Sequence, residues 1–204
     1  MSDASSGAAP GPPLRHLLYL HGFRSSPQST KARRVAAWLQ AHRPELDWVC
    51  PQLPPSPRQA IADVDAAIAA WPRDRMAVIG SSLGGFYATA VAERTGCRAV
   101  VLNPAVDPAR DLAGFIGEHK AWHGDERFFF RAGYIAELRD VAPPPVLTHR
   151  ERYLAVIAKG DELLSWQEMS ARYAGCRMRL IEGSDHALSD FDAHLPAVVE
   201  FLGL

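Results

Sequence analysis

The chain has 204 residues, with 22 Lys and Arg against 23 Asp and Glu and a formal net charge of −1. That length fits one domain, and 48% hydrophobic with 22% charged residues excludes a disordered chain. The charge balance offers neither the basic excess that nucleic acid needs nor a polybasic anchor for an anionic membrane, and no run approaches the ~20 apolar residues of a membrane span.

Residues 1–13 (MSDASSGAAPGPP) are rich in Ala, Gly, Pro and Ser and carry one charge. They have no basic and apolar regions in signal-peptide order, and position 2 is Ser2 rather than the glycine of a lipidation site. This stretch is expected to be a flexible tail, with the ordered domain over 14–204. The first strand is expected at 14–20, a nearly continuous apolar run of the kind buried on both faces of a parallel sheet. A helix follows at 29–41, with Ala32, Val35, Ala36 and Leu39 on one face. Residues 47–50 read as a short strand closed by Pro51, and 58–71 as a helix stopped by Pro72. Strands at 76–80 and 99–102 flank a helix at 83–95 that ends before Gly96. The last elements are strands at 154–158 and 178–181 and helices at 166–174 and 194–201.

Strand and helix alternate five times, which implies βαβ crossovers and an α/β fold: a reduced, mostly parallel sheet of about six strands flanked by helices. The interruption is 107–150. It holds Trp122, Phe128, Phe129, Phe130 and Tyr134, shows no clean strand, and is too long for a plain connection. It reads as a small helical cap over the carboxyl ends of the strands, where such sheets bind ligands. Its aromatics read as the core of the cap or as the wall of an acyl pocket, and burial preference favours the first.

Gly80-Ser81-Ser82-Leu83-Gly84 fits G-x-S-x-G, with a buried strand before it and a helix after. That context is the nucleophile elbow of an α/β-hydrolase. Gly80 and Gly84 are needed where backbones pass too close for a side chain, and Ser82 is lifted above the sheet at a helix N-terminus. The alternative is a glycine-rich turn with Ser82 as a helix cap. A serine hydroxyl needs a base. Of eight histidines, His186 lies just beyond the last strand, at the same sheet edge as Ser82. His194, at the start of a surface helix, and His149, before a strand, are less well placed. The acid should follow the preceding strand, which selects Asp161, with Glu162 and Asp107 as rivals. The oxyanion hole calls for two backbone N–H groups: Leu83, after the nucleophile, and Phe23, after the first strand. Gly22 lets that loop approach Ser82, and His21 reads as a structural residue pinning it.

These motifs occur in a fixed order: Leu18-Tyr19-Leu20-His21-Gly22-Phe23, Ser25-Ser26-Pro27, Pro51-Gln52-Leu53-Pro54, Gly80 to Ala88, Asn103-Pro104-Ala105-Val106, Gly160-Asp161-Glu162 and Asp185-His186-Ala187. The set resembles the small YqiA/YcfP-type bacterial esterases of the α/β-hydrolase superfamily, over nearly the whole chain after residue 14. The resemblance implies hydrolysis of short or moderate acyl esters, extending to thioesters such as acyl-CoA. It maps nucleophile, acid and base onto Ser82, Asp161 and His186. The tail and the cap depart from the pattern and leave acyl specificity open.

No cofactor is expected. His119 and His123, four residues apart with Asp125 and Glu126 nearby, read as polar cap surface rather than a metal site. Cys50, Cys97 and Cys176 are odd in number and widely spaced, so neither a disulfide framework nor a zinc site follows; they read as buried thiols of a cytosolic protein. The expected partner is a small acyl ester or thioester, with no nucleic acid and no membrane anchor, for a monomer or small homo-oligomer. An acyltransferase or perhydrolase would carry the same motifs. A non-catalytic binding protein of this fold would normally lack one of the three residues.

Overall fold

The computed structural model describes residues 12–120 and 127–204. The first eleven residues of the expected tail, and Trp122 and His123 of the cap, lie outside them.

One parallel sheet of six strands organises the chain, in the order β2-β1-β3-β4-β7-β8. Its strands are β1 His16–Leu20, β2 Asp47–Val49, β3 Met76–Ser81, β4 Arg98–Leu102, β7 Tyr153–Ala158 and β8 Arg177–Ile181. Period-2 alternation splits the strand side chains between two cores. Leu17, Tyr19, Ile79, Val100 and Val156 pack with Val35 and Leu39 of α1 (Thr30–His42) and Val198 and Leu202 of α7 (Leu195–Leu202). Leu18, Leu20, Val78, Val101 and Ala155 pack against α2 (Pro57–Ala67), α3 (Leu83–Thr95) and α6 (Trp166–Arg172). The central strands therefore read as continuous apolar runs, because both faces are covered. The edge strand β8 is mostly exposed, and Arg177 and Arg179 mark it with the charge that discourages edge pairing.

The helix expected at 58–71 stops at Ala67. Residues beyond it wind through tighter bonds, Ala69 N–H to the Ala66 carbonyl and Trp71 N–H to that of Ile68, the usual narrowing of a last turn. Helix α3 is apolar all round and buried from Leu83 to Ala92, which makes it the internal helix carrying the elbow.

The cap at 107–150 is not purely helical. It contains α4 (Pro108–Asp111), a 3₁₀ turn at Ala113–Phe115, strands β5 (Gly117–Lys120) and β6 (Arg127–Phe130), and α5 (Gly133–Asp140). β5 and β6 pair antiparallel, with His119 opposite Phe128. Aromatic residues favour that pleated surface, but four residues are too few to show a period and Gly117–Lys120 shows no apolar alternation. Helix α5 is moored to the body by Glu137, which accepts from the Ser56 hydroxyl at 2.6 Å and the Arg58 N–H at 3.1 Å, at the N-terminus of α2.

Candidate active site

β3 ends level with its neighbours: Gly80 is in register with Leu20 of β1 and Val101 of β4. The chain then turns through Ser82, whose φ of 56° and ψ of −123° place a non-glycine residue in a sparsely populated region. The close approaches require the two glycines. A Cβ on Gly80 would come 2.6 Å from Ala88 Cβ, and one on Gly84 would come 2.6 Å from the His21 carbonyl oxygen. Ser82 occupies the N-cap position of α3, but its side chain makes no capping bond. Its Oγ lies 3.1 Å from His186 Nε2.

His186 Nδ1 lies 2.8 Å from Asp161 Oδ2. The Asp161 side chain is fully buried. Its other oxygen accepts the Leu163 and Leu164 N–H groups, both at 2.8 Å. These bonds hold the carboxylate edge-on to the imidazole, so Nδ1 carries the proton and the Nε2 lone pair faces the Ser82 hydroxyl. The rival acids are engaged otherwise. Glu162 accepts from the His186 backbone N–H at 2.9 Å, and Asp107 caps α4 through the Arg110 N–H.

The loop after β1 closes the other side. A Cβ on Gly22 would lie 3.1 Å from Ser82 Cβ, so the Gly22–Phe23 peptide sits beside Ser82. Leu83 opens α3, where an N–H has no intrahelical acceptor. His21 is buried; its Nε2 accepts the Leu53 N–H at 3.0 Å, so Nδ1 donates to the Gly22 carbonyl at 3.0 Å. A cavity of about 160 Å³ opens beside this turn, lined by Phe23, Leu53, Leu83, Tyr87 and Phe128 with Arg24 at its side.

Three side chains to which the sequence reading gave no such role also reach this site. Asn103 Nδ2 donates to the carbonyls of Asp185 (2.9 Å) and His186 (3.2 Å). Lys31 Nζ donates to the Ala187 carbonyl. Burial lowers its pKa to about 8, while Asp185 and Asp161 oppose that shift. Glu162, weighed only as an acid, holds the His186 N–H. No periodicity or spacing announces such contacts, because partners 156 and 82 residues apart meet only in the fold.

The remaining histidines lie elsewhere. His194 stands at the N-cap of α7, as its position implied, but its side chain is buried: its Nδ1 accepts from Arg179 Nε and its Nε2 donates to Asp190, each at 3.0 Å. His149 is 3.2 Å from Glu151 on the surface. His119 packs edge-to-face on Phe23 and tilted against Phe115 and Phe128, while His123, Asp125 and Glu126 lie outside the described residues. The cap aromatics divide: Phe130 is buried, Phe128 lines the cavity and Phe129 faces solvent. All three cysteines are free, and only Cys97 is fully buried. No helix among the described residues is long and apolar enough to cross a membrane.

A doubly covered parallel sheet with a strained serine between β3 and α3 makes this an α/β-hydrolase fold. Solved structures sharing it include mouse alpha/beta hydrolase domain-containing protein 10, with a TM-score of 0.69 and 15% identity over 92% of this chain and 90% of that one. Est1E from Butyrivibrio proteoclasticus with bound ferulic acid gives 0.67 and 17% over 92% and 86%. Within that class, the model described as "Uncharacterised protein family (UPF0227)" matches residues 16–203, and the chain belongs to that family. The UPF0227 protein of Serratia proteamaculans is 25% identical over 91% of this chain and 97% of its own length, and that of Yersinia enterocolitica is 25% identical over the same shares.

Proposed function

We propose that the chain is a serine carboxylic-ester hydrolase for small to moderate acyl esters. The observation that carries this reading is the hydrogen-bonded line Ser82 Oγ–His186 Nε2–His186 Nδ1–Asp161 Oδ2, at 3.1 and 2.8 Å. Several proteins of similar fold are named as esterases, among them the esterase domain of a Rhodothermus marinus protein and an esterase of Pyrococcus furiosus.

In this reading His186 Nε2 takes the hydroxyl proton as Ser82 Oγ attacks the acyl carbonyl carbon. The Leu83 and Phe23 N–H groups hold the resulting oxyanion. The tetrahedral intermediate collapses, the bond to the leaving oxygen breaks, and His186 returns the proton to that oxygen. Water then attacks the acyl-enzyme with His186 again as base, and Ser82 leaves reprotonated. Asp161 fixes the tautomer and stabilises the imidazolium. The cavity of about 160 Å³ beside the turn, lined by Phe23, Leu53, Leu83, Tyr87 and Phe128, offers apolar contact for a short acyl arm.

The test is a panel of p-nitrophenyl esters from acetate to palmitate, with acyl-CoA alongside, run beside Ser82→Ala. Turnover is expected to peak at short arms and to fall by roughly 10⁵–10⁶-fold in kcat in the variant. A Ser82→Ala protein with full turnover overturns the reading. Products formed with a competing alcohol or with peroxide assign the acceptor.

A further inference from the structure

Asn103 follows directly on β4, the strand between those carrying Ser82 and Asp161. It is fully buried, and its φ of 41° lies in the left-handed region that asparagine tolerates better than most residues. Every polar group of its side chain is used. Oδ1 accepts the Ala158 N–H at 2.8 Å, at the end of the strand that leads to Asp161. The two N–H groups of Nδ2 go to the carbonyls of Asp185 and His186. Its backbone neighbours hold the nucleophile: the Leu102 carbonyl accepts the Ser82 N–H, and the Ala105 N–H donates to the Ser82 carbonyl, each at 3.0 Å. One side chain therefore joins the acid strand to the base loop, between two backbone bonds that hold the elbow.

We propose that Asn103 is a positioning residue that sets the His186 to Ser82 distance by clamping the base loop to the end of β4. The inference rests on the hydrolase reading of Ser82, His186 and Asp161. The loop's own bonds, from Ser189 to Asp185 and from Ser184 to Asp190, tie it to itself and not to the strand ends, and proton transfer loses efficiency steeply when the base moves. Stability draws on this amide too, since an apolar residue would leave the Ala158 N–H and two carbonyls without a partner, so the two roles are told apart by the placement of His186 and not by melting. What an apolar residue would not supply is two donors aimed at the carbonyls of the base and its neighbour.

Two variants test this. In Asn103→Asp one oxygen keeps the Ala158 N–H, but the other faces two carbonyls with no proton to offer, and its charge sits near the imidazolium. Asn103→Gly keeps the left-handed backbone and removes the clamp without adding charge. In both, kcat is expected to fall roughly 10–100-fold with KM within about threefold of wild type. The acid limb of the kcat/KM profile moves up by about half a pH unit or more in Asn103→Asp only, because a nearby carboxylate favours charged His186. A merely structural residue would lower the melting temperature and leave both kcat and the limb in place. That outcome, in either variant assayed well below its melting temperature, overturns the proposal. If Asn103→Asp melts too low, Asn103→Gly decides on kcat alone. Reaction with a fluorophosphonate probe separates the two claims: a wild type as inert as Ser82→Ala overturns the hydrolase reading itself.

Discussion

Around His186, four backbone groups are each held by a side chain from another part of the chain. Glu162 takes the His186 N–H, Asn103 takes the carbonyls of Asp185 and His186, and Lys31 takes that of Ala187. The cap is built the other way. Phe115, Ile116 and Phe129 are 43–56% exposed, and the Arg127–Glu118 pair across β5 and β6 has side chains 69% and 59% exposed. Exposed pairs of that kind are worth about 0–1 kcal/mol. Fixed geometry is concentrated where a proton would move, and the surface above it is held mainly through α5. Substitutions should therefore cost chemistry at the rim and little in the cap.

After the loss of Ser82 itself, the largest effect is expected from Asp161→Asn. The asparagine oxygen stays with the Leu163 and Leu164 N–H groups that now bind Oδ1, which turns the amide nitrogen toward His186 Nδ1. Nδ1 must then accept, the ring proton moves to Nε2, and the lone pair facing Ser82 is lost. A drop of about 10⁴-fold in kcat is expected, with the fold intact. Glu162→Gln keeps an oxygen for the His186 N–H, and Asp107→Asn keeps its cap, so both should stay within about threefold. Equal losses in Asp161→Asn and Glu162→Gln would mean that the acid is misassigned.

The same contrast holds for glycines. Gly84→Ala drives a methyl into the backbone of Leu20 and His21, and nothing there can yield without reshaping the elbow. A loss of about 3 kcal/mol in urea unfolding is expected. Gly133, at the start of α5, has nothing within 4 Å of where a Cβ would go. Gly133→Ala should gain about 0.4–1 kcal/mol through lost freedom of the unfolded chain. Similar costs at the two sites would remove the distinction between rim and cap.

What could be read beforehand follows the same line. The strands, α3 and the elbow are local: an apolar run, a glycine pair and a helix stop write them into neighbouring residues. Their order along the chain narrows the choice to Ser82, His186 and Asp161 with Glu162 and Asp107 as rival acids, and the fold brings Ser82, His186 and Asp161 within hydrogen-bond distance. The clamp is not local. Asn103 meets His186 across 83 residues, and its amide leaves no periodic trace. The β5–β6 hairpin escaped because its strands are too short to alternate. The burial of His194 depends on Arg179 and Asp190, which only the folded chain sets around it.

Lys31 offers the finest distinction, because it is the only one of the four restraints on the base loop that carries a positive charge. Burial lowers its pKa to about 8 from an ordinary 10.5. Below pH 8 both folded and unfolded chains hold its proton. Between about 8 and 10.5 the unfolded chain binds the proton more often, so this group makes stability rise with pH. The cysteines act oppositely. Burial raises Cys50 to about 12 and Cys97 and Cys176 to about 11, so the unfolded thiols ionise first and stability falls above pH 9. Those terms are common to wild type and Lys31→Met and cancel between them. The difference in melting temperature should therefore move in favour of wild type from pH 7.5 to 9.5, by about 2–4 °C, the shift that ~1 kcal/mol produces in a domain of this size. A flat difference would mean that the Lys31 ammonium is solvated as an ordinary surface lysine. The base loop would then be held by Asn103 and Glu162 without a buried cation, and its third restraint would be no firmer than an exposed pair in the cap.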